Sequence, residues 1–412
     1  MRLLHTSDWH LGQNFFGFSR HYEHQQFLDW LLLTLVEQQI DVLLIAGDVF
    51  DTANAPASAQ QQLYQFLCAA KLNTPHLQVV IIAGNHDSPT RLEVPMPFLS
   101  AFDMVVIGQV TRQHQQIDVE RMVIPLKNRQ GEVKAWCLAI PFLRPSDVPK
   151  VDNAKDAYLE GIAALYQQAT DCALDKRETG QAIIAMGHCH MLGSQVSEDS
   201  ERKLVMGGIE SLSSAIFAPE ISYVALGHLH LAQKVGGDDR VRYSGTPLPM
   251  SFSEEHYQHS IRVIELENDV IKSATSILIP RTVPLYRIPK SKAEPLDAVL
   301  TLLQQHDWPT IPEQQQPYLL VRVQLEKPEP SLRQQIEQAL ANKSVKLIKI
   351  ETTYPSTTTD NEDKVMSLED VQRLQPEDVF LKMYQQKFAT LPSLELLGAF
   401  RDLIIQNNTG GV

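Results

Sequence analysis

Asp41-Val42-Leu43-Leu44-Ile45-Ala46-Gly47-Asp48-Val49-Phe50-Asp51 is the stretch on which the fold turns. Its apolar run has no polar alternation, which predicts a strand buried on both faces, as in the sheet of an α/β domain. The run closes on Gly47-Asp48. Glycine lets the backbone turn sharply and approach a ligand closely. Asp48 then falls just past the carboxyl end of the strand, where open α/β sheets place their chemistry. A single Asp after a strand is more often a turn or helix cap, so the weight of the reading comes from other strands that end the same way.

Arg2 to Ser7 predicts a short strand that delivers Asp8-Trp9-His10. In extended chain, residues two apart share a side, so Asp8 and His10 can reach one point with an oxygen and an imidazole nitrogen, half of a transition-metal site. Leu77 to Ile82 ends in Gly84-Asn85-His86-Asp87, an amide oxygen followed by an imidazole beside a carboxylate that could orient or charge it. Ala182 to Met186 ends in Gly187-His188-Cys189-His190, and Tyr223 to Leu226 in Gly227-His228-Leu229-His230. Each motif alone is commonplace, and an isolated Asn-His-Asp is usually an Asx-turn with a surface histidine. Together, Asp8, His10, Asp48, Asn85, His188, His228 and His230 place nitrogen and oxygen donors after five strands. That is too many donors for one ion and fits two ions sharing a bridging carboxylate. Oxygen mixed with imidazole suits manganese, iron or zinc rather than calcium, and affinity trends do not choose among the three.

Between these strands, His21 to Gln39, Ala57 to Lys71 and Lys155 to Gln168 read as helices, the first carrying Phe27, Leu28, Leu31 and Leu35 on one face. Met104 to Ile107, Arg121 to Ile124 and Ala135 to Ile140 are strand candidates, and Ser260 to Leu266 with Val270 to Leu278 completes a first domain over 1–280. Residues 281–354 alternate strand and helix (Val283 to Ile288, Leu296 to Gln305, Tyr318 to Leu325, Leu332 to Leu340, Val345 to Ile350) as a small α+β domain without a ligand cluster. A polar linker is expected at 355–363. In the tail, 364–412, Val379, Phe380, Met383, Tyr384 and Phe388 line one helix, and Leu394, Leu397, Phe400, Leu403 and Ile404 another.

With 412 residues, 43% apolar and 21% charged, the chain can bury a sizeable core in two or three domains. No apolar run approaches the roughly 20 residues of a membrane span. His5-Thr6-Ser7-Asp8 follows Met1 too soon for a signal-peptide core, which sets a cytoplasmic expectation. Cys68, Cys137, Cys172 and Cys189 lie far apart and read as free thiols. A net charge of -13 speaks against a broad basic face for nucleic acid, although 101–150 holds seven basic side chains (Arg112, Arg121, Lys127, Arg129, Lys134, Arg144, Lys150) against five acidic ones.

The order of motifs, D-x-H, G-D, G-N-H-D, G-H and G-H-x-H, resembles the calcineurin-like metallophosphoesterases. His5 to Gly12, Gly47 to Asp51, Ile140-Pro141-Phe142-Leu143-Arg144-Pro145 and Arg242-Tyr243-Ser244-Gly245-Thr246-Pro247 are similar to the bacterial members of that family that cut DNA ends. The resemblance covers about the first 280 residues strongly and the rest weakly. It implies a sandwich of two mixed sheets flanked by helices, with a small capping domain and a helical tail. It implies one ion among Asp8, His10, Asp48 and His230 and another among Asp48, Asn85, His188 and His228, most often manganese. His86 matches the family's catalytic histidine, with Asp87 as its orienting partner, whereas Cys189 and His190 match no family ligand. The activity implied is double-strand exonuclease and single-strand or hairpin endonuclease in repair, replication and recombination, in a cytoplasmic, nucleoid-associated protein. The partners implied are DNA ends, a second copy meeting through Ala57 to Leu72 and Val94 to Phe102, and a coiled-coil ATPase docked on 364–412 in a two-plus-two assembly. Two other readings stand beside it: a phosphatase or small-molecule phosphodiesterase on the same donors, and a non-catalytic scaffold, which the full donor set and His86 disfavour.

Overall fold

In the computed structural model, residues 1–196 and 212–354 are described, together with 380, 381, 384, 385, 388, 390–393, 396, 397 and 400 of the tail. The chain divides into two compact units, Met1–Val283 and Pro284–Val412.

Val42–Ala46 is buried at every position, and its neighbours explain the missing alternation. Val42, Leu44 and Ala46 join a cluster with Cys137, Ala139, Ile183 and Ala185 of a second sheet, whereas Leu43 and Ile45 pack with Phe27, Leu31, Leu63 and Phe66 of two helices. Burial contributes about 1.5–3 kcal/mol for each Leu or Ile side chain. The first unit runs β1 (Arg2–Thr6), α1 (His21–Glu37), β2 (Val42–Ala46), α2 (Ala57–Asn73), β3 (Gln78–Ile82), β4 (Met104–Ile107), β5 (Val123–Lys127), β6 (Val133–Ala139) and α3 (Ala157–Lys176). It continues with β7 (Ala182–His188), β8 (Ile221–Gly227), β9 (Gln233–Val235), β10 (Asp238–Tyr243), β11 (Ser260–Glu267) and β12 (Val270–Leu278).

Two six-stranded sheets form the sandwich, one in the order β12-β11-β1-β2-β3-β4 and the other β9-β10-β8-β7-β6-β5. Strands β1 to β4 are mutually parallel, with Leu4 opposite Leu43 and Leu43 opposite Val79; β11 and β12 extend that sheet antiparallel. In the second sheet β6, β7, β8 and β10 are parallel, and β5 and β9 are antiparallel edges. This is the α/β sandwich that the motifs implied.

Local differences from the sequence reading have local causes. The third helix begins at Ala157, because the Asp156 side chain accepts from the Tyr158 and Leu159 amides as an N-cap, and it runs on to Lys176 rather than stopping at Gln168. The strand expected at Arg121 to Ile124 is a 3-10 turn at Glu120–Met122 followed by β5. The β9–β10 hairpin was not foreseen; its Gly236-Gly237 turn has φ of 55° and 83°, the paired positive values of a tight hairpin. The four cysteines are free thiols.

In the second unit, β13 (Leu285–Ile288), β14 (Glu294–Pro295) and β16 (Lys346–Thr353) all pair in parallel with β15 (Tyr318–Gln324). Helices α4 (Leu296–Gln305) and α5 (Leu332–Ala339) cover it through Val299, Leu303 and Ile336. The expected linker and most of both tail helices lie outside the described residues; within the tail, the Phe380 and Phe400 rings stack 4.1 Å apart. Among the described residues no helix is long and apolar enough to cross a membrane.

Candidate metal centre

Strands β1, β2 and β3 are neighbours in the first sheet, and β7 and β8 are neighbours in the second. Asp8 and His10 follow β1, Asp48 follows β2, Asn85 and His86 follow β3, His188 closes β7, and His228 and His230 follow β8. Backbone pairing continues past the strand ends: the Asp8, His10 and Leu11 amides donate to the Gly47, Asp48 and Val49 carbonyls at 3.0, 3.0 and 2.9 Å. The route differs from the extended chain expected at Asp8-Trp9-His10. Asp8, His10 and Asp48 have φ of 54°, 48° and 48°, and His228 has 104°, so left-handed turns rather than pleat alternation aim these side chains. Such backbone conformations cost about 1–3 kcal/mol each and persist where the surroundings over-determine them.

The seven donor side chains converge. Ligand atoms of Asp8, Asp48 and His188 all lie within 4.8 Å of one another. Asp48 is the hub: its carboxylate is 3.3 Å from His188 Nε2 and 3.7 Å from His10 Nε2, and it accepts the His86 amide at 2.8 Å. Asn85 Oδ1 is 3.0 Å from both His188 Nε2 and His228 Nδ1. The His10 and His230 rings are 5.6 Å apart, and Asp8 accepts the His228 amide at 2.9 Å, a tie between the two sheets. Asp8, His10, Asp48, His188 and His230 are buried; Asn85 and His228 are half-buried.

The electrostatics are those of a site short of positive charge. Burial pushes the Asp8 carboxyl up, and the adjacent Asp48 adds to this against the pull of His188. Burial also opposes ionisation of Asp48, but the imidazoles of His188, His10 and His86 win and hold it below the usual carboxylate range. His188 is raised to about 9, because Asp48 outweighs the burial that would keep its ring neutral. His228 goes the other way, to about 3, through burial and the charge of His188. Both ring nitrogens of buried His10 lack a hydrogen-bond partner. Buried polar atoms without hydrogen bonds are costly, so carboxylates gathered around an imidazole that makes no hydrogen bond fit divalent cations.

Two glycines are required by contact. A Cβ on Gly84 would overlap the Asp48 carboxylate, and one on Gly227 would overlap the Ala46 carbonyl, the point where β8 presses against β2.

His86 is held differently from expectation. Asp87 does not orient its ring; the Asp87 carboxylate turns back to accept the amides of Val49 (3.1 Å), Phe50 (2.9 Å) and Gly84 (2.9 Å). Three N–H donors behind the strand outcompete one neighbouring imidazole. Burial, with the Asp48 charge, raises Asp87 to about 6 against those bonds. The His86 Nδ1 instead lies 2.7 Å from the Asp51 carbonyl oxygen, and its ring packs edge-on to His10 at 4.9 Å. Sequence reasoning missed Asp51, whose carboxylate is also 3.3 Å from His10 Nδ1. It missed Glu254 too, whose Oε1 is 2.9 Å from His230 Nδ1. The second carboxylate of Gly-Asp-Val-Phe-Asp was a signal for Asp51; nothing marked Glu254. His190 lies at the margin, its ring 6.4 Å from that of His228.

The basic residues of 101–150 are largely engaged in the fold. Arg121 pairs with Glu93 at 2.8 Å, Arg129 with Asp41 at 3.3 Å, and Arg112 donates to the Ser146 and Val148 carbonyls. Arg144 sits over the Phe142 ring at 5.6 Å, and that ring stands edge-on to His188 at 6.3 Å.

Comparison with known proteins agrees with this geometry. The calcineurin-like phosphoesterase family matches residues 1–232, and a family described as the type 5 capsule protein repressor C-terminal domain matches 281–388. The chain is 35% identical to SbcD of the nuclease SbcCD from Rhodobacter capsulatus over 92% of its length and 93% of that protein. Against the Escherichia coli K12 SbcD it is 36% identical over 69% of this chain and 70% of the other, and against that of Bacillus subtilis 33% over 70% and 72%. The chain therefore belongs to the calcineurin-like phosphoesterases, and within them to the SbcD family of SbcCD nucleases.

Proposed function

We propose that the chain is a metal-dependent nuclease that hydrolyses DNA phosphodiester bonds as the partner of the ATPase SbcC, at ends as an exonuclease and at hairpins or single strands as an endonuclease. The observation that carries it is the buried meeting of Asp8, Asp48 and His188 beside His10, whose ring nitrogens lack hydrogen-bond partners. Asp8, His10, Asp48 and His230 would hold one ion and Asp48, Asn85, His188 and His228 the other, with manganese as the physiological metal. Such a pair of ions supplies an activated water and neutralises charge on the phosphate oxygens. The chain's own residues do the rest. Asp48 stands at the junction of both donor sets, and Asn85 reaches the same side as His188 and His228. The Asp51 carbonyl accepts the Nδ1–H of His86, so in the imidazolium form the Nε2–H is free to stabilise the phosphate or to pass its proton to the leaving oxygen and return the ring to neutral, general-acid work worth roughly 100- to 10,000-fold.

Four parts are proposed: the nuclease domain 1–280, a cap at 281–354 that shapes access of DNA, a linker at 355–363, and a tail at 364–412 that docks on SbcC in an assembly of two copies of each chain. A homodimer through Ala57 to Leu72 and Val94 to Phe102 is supported by the exposure of Leu72, Val94, Phe98 and Phe102. The cellular role that follows is repair, replication and recombination at the cytoplasmic nucleoid.

The test is cleavage of a hairpin-ended duplex with manganese, with and without SbcC and ATP. Manganese-dependent cleavage that SbcC and ATP extend supports the reading. Full ion occupancy with turnover of a simple phosphoester and no DNA cleavage would move the chain to the phosphatases.

A further inference from the structure

His230 reaches the donor cluster with one side of its ring already committed. Its Nδ1 is 2.9 Å from Oε1 of Glu254, a carboxylate with no exposed surface. The other oxygen of Glu254 accepts the Met250 amide at 2.7 Å. A buried carboxylate is tolerated only where such bonds compensate its lost hydration. Accepting from Nδ1, it fixes the tautomer in which Nε2 carries the lone pair, and it makes that nitrogen a stronger donor. On the other half of the cluster, the His188 Nδ1 lies 2.9 Å from the neutral Ala46 carbonyl oxygen rather than from a carboxylate.

The loop that carries Glu254 is anchored rather than adventitious. The turn Phe252–Glu254 stacks the Phe252 ring on Phe15 at 6.0 Å. Just before it, the Pro249 carbonyl accepts Arg20 Nη1 at 2.6 Å. Arg20 is itself fully buried and doubly bonded to Glu23 at the start of α1, at 2.8 and 2.7 Å. A chain of contacts thus runs from α1 through the loop to His230.

We propose that Glu254 is the positioning residue of His230, and that its carboxylate makes the ion position served by His230 the tighter of the two. This rests on the metal-centre reading given above. Gln at 254 defeats the arrangement in either orientation: with its oxygen toward His230 its amide group faces the Met250 N–H, donor against donor. Reversed, it donates to Nδ1 and forces the proton onto Nε2, where no metal can bind.

The experiment is a Mn2+ titration of chelator-stripped full-length protein, with free ion read by EPR, for wild type, Glu254→Gln and Glu254→Ala. Asn85→Ala serves as the reference for loss at the opposite position. The expected result is two unequal sites in the wild type and, in both Glu254 variants, loss of about 10- to 100-fold in affinity at the tighter one alone. In wild-type protein, 15N spectra of labelled histidine should show the Nδ1-protonated tautomer at His230, altered in Glu254→Gln. Unchanged affinities in Glu254→Gln overturn the proposal. Equal weakening of both sites with a lowered melting temperature also overturns it, since that is the mark of a merely structural residue. A wild type that binds no Mn2+ sinks the metal-centre reading itself, a result distinct from either.

Discussion

Protonation of His5 should loosen the sandwich at its joint. His5 lies on β1 with no exposed surface, its Nδ1 3.0 Å from the Tyr223 hydroxyl and its Nε2 3.1 Å from the Leu226 carbonyl, both on β8 of the opposite sheet. Burial lowers its pKa from 6.5 to about 3, with Arg262 assisting and the Leu226 carbonyl opposing. The folded value lies below the unfolded one, so the unfolded chain takes up the proton first. The contribution of neutral His5 is whole above pH 6.5 and is lost as the pH falls toward 3. A shift of that size corresponds to about 5 kcal/mol in full, of which about 2.5 kcal/mol disappears between about pH 7.5 and about pH 4.5. Other buried histidines, His24 and His259, are lowered too and act in the same direction. The informative quantity is therefore a difference. Urea unfolding of metal-free wild type and His5→Gln at both pH values should show the variant losing about 2.5 kcal/mol less on acidification. Equal losses in the two proteins would refute the reasoning, because His5 would then bind its proton as readily folded as unfolded.

Replacing His86 by Ala should leave ion binding intact and lower DNA cleavage by roughly 100- to 10,000-fold, measured as single-turnover rates beside a metal analysis. Asp48→Ala should lose both ions, and elemental analysis that still finds two would remove it from the junction. For Gly84→Ala, where the new Cβ meets the Asp48 carboxylate, weaker ion binding is expected in a protein whose circular dichroism is unchanged; wild-type affinity would mean that Asp48 can move aside. Deletion of 364–412 should abolish capture by immobilised SbcC and spare manganese-dependent cleavage of a short hairpin by the chain alone.

Much of this architecture was readable because its signals are local. The run Val42 to Ala46 is apolar on both sides since one side meets the second sheet and the other meets α1 and α2. The donors announce themselves because each follows a strand directly, and parallel strands carry their ends to one edge. What escaped the reading is set by distance or by backbone angle. No pattern tells that Asp8 and His10 turn left-handed, since the φ values are imposed by hydrogen bonds to Gly47 and Asp48, some forty residues away. Adjacency in sequence suggested that Asp87 serves His86, and three amides claimed it instead. Glu254 meets His230 through a loop whose anchor, Arg20, lies more than two hundred residues earlier.

The donors are divided between the sheets: Asp8, His10, Asp48 and Asn85 belong to one, His188, His228 and His230 to the other. Ions held there would act as rivets across the seam, so occupancy and cohesion of the two layers are linked by mass action, with a stabilisation of about 2.7 kcal/mol when a free ion stands at a hundred times its dissociation constant. Melting temperature then becomes a gauge of loading. A substitution anywhere along the seam that slides one layer against the other will register first as a weaker grip on metal, before any strand is lost.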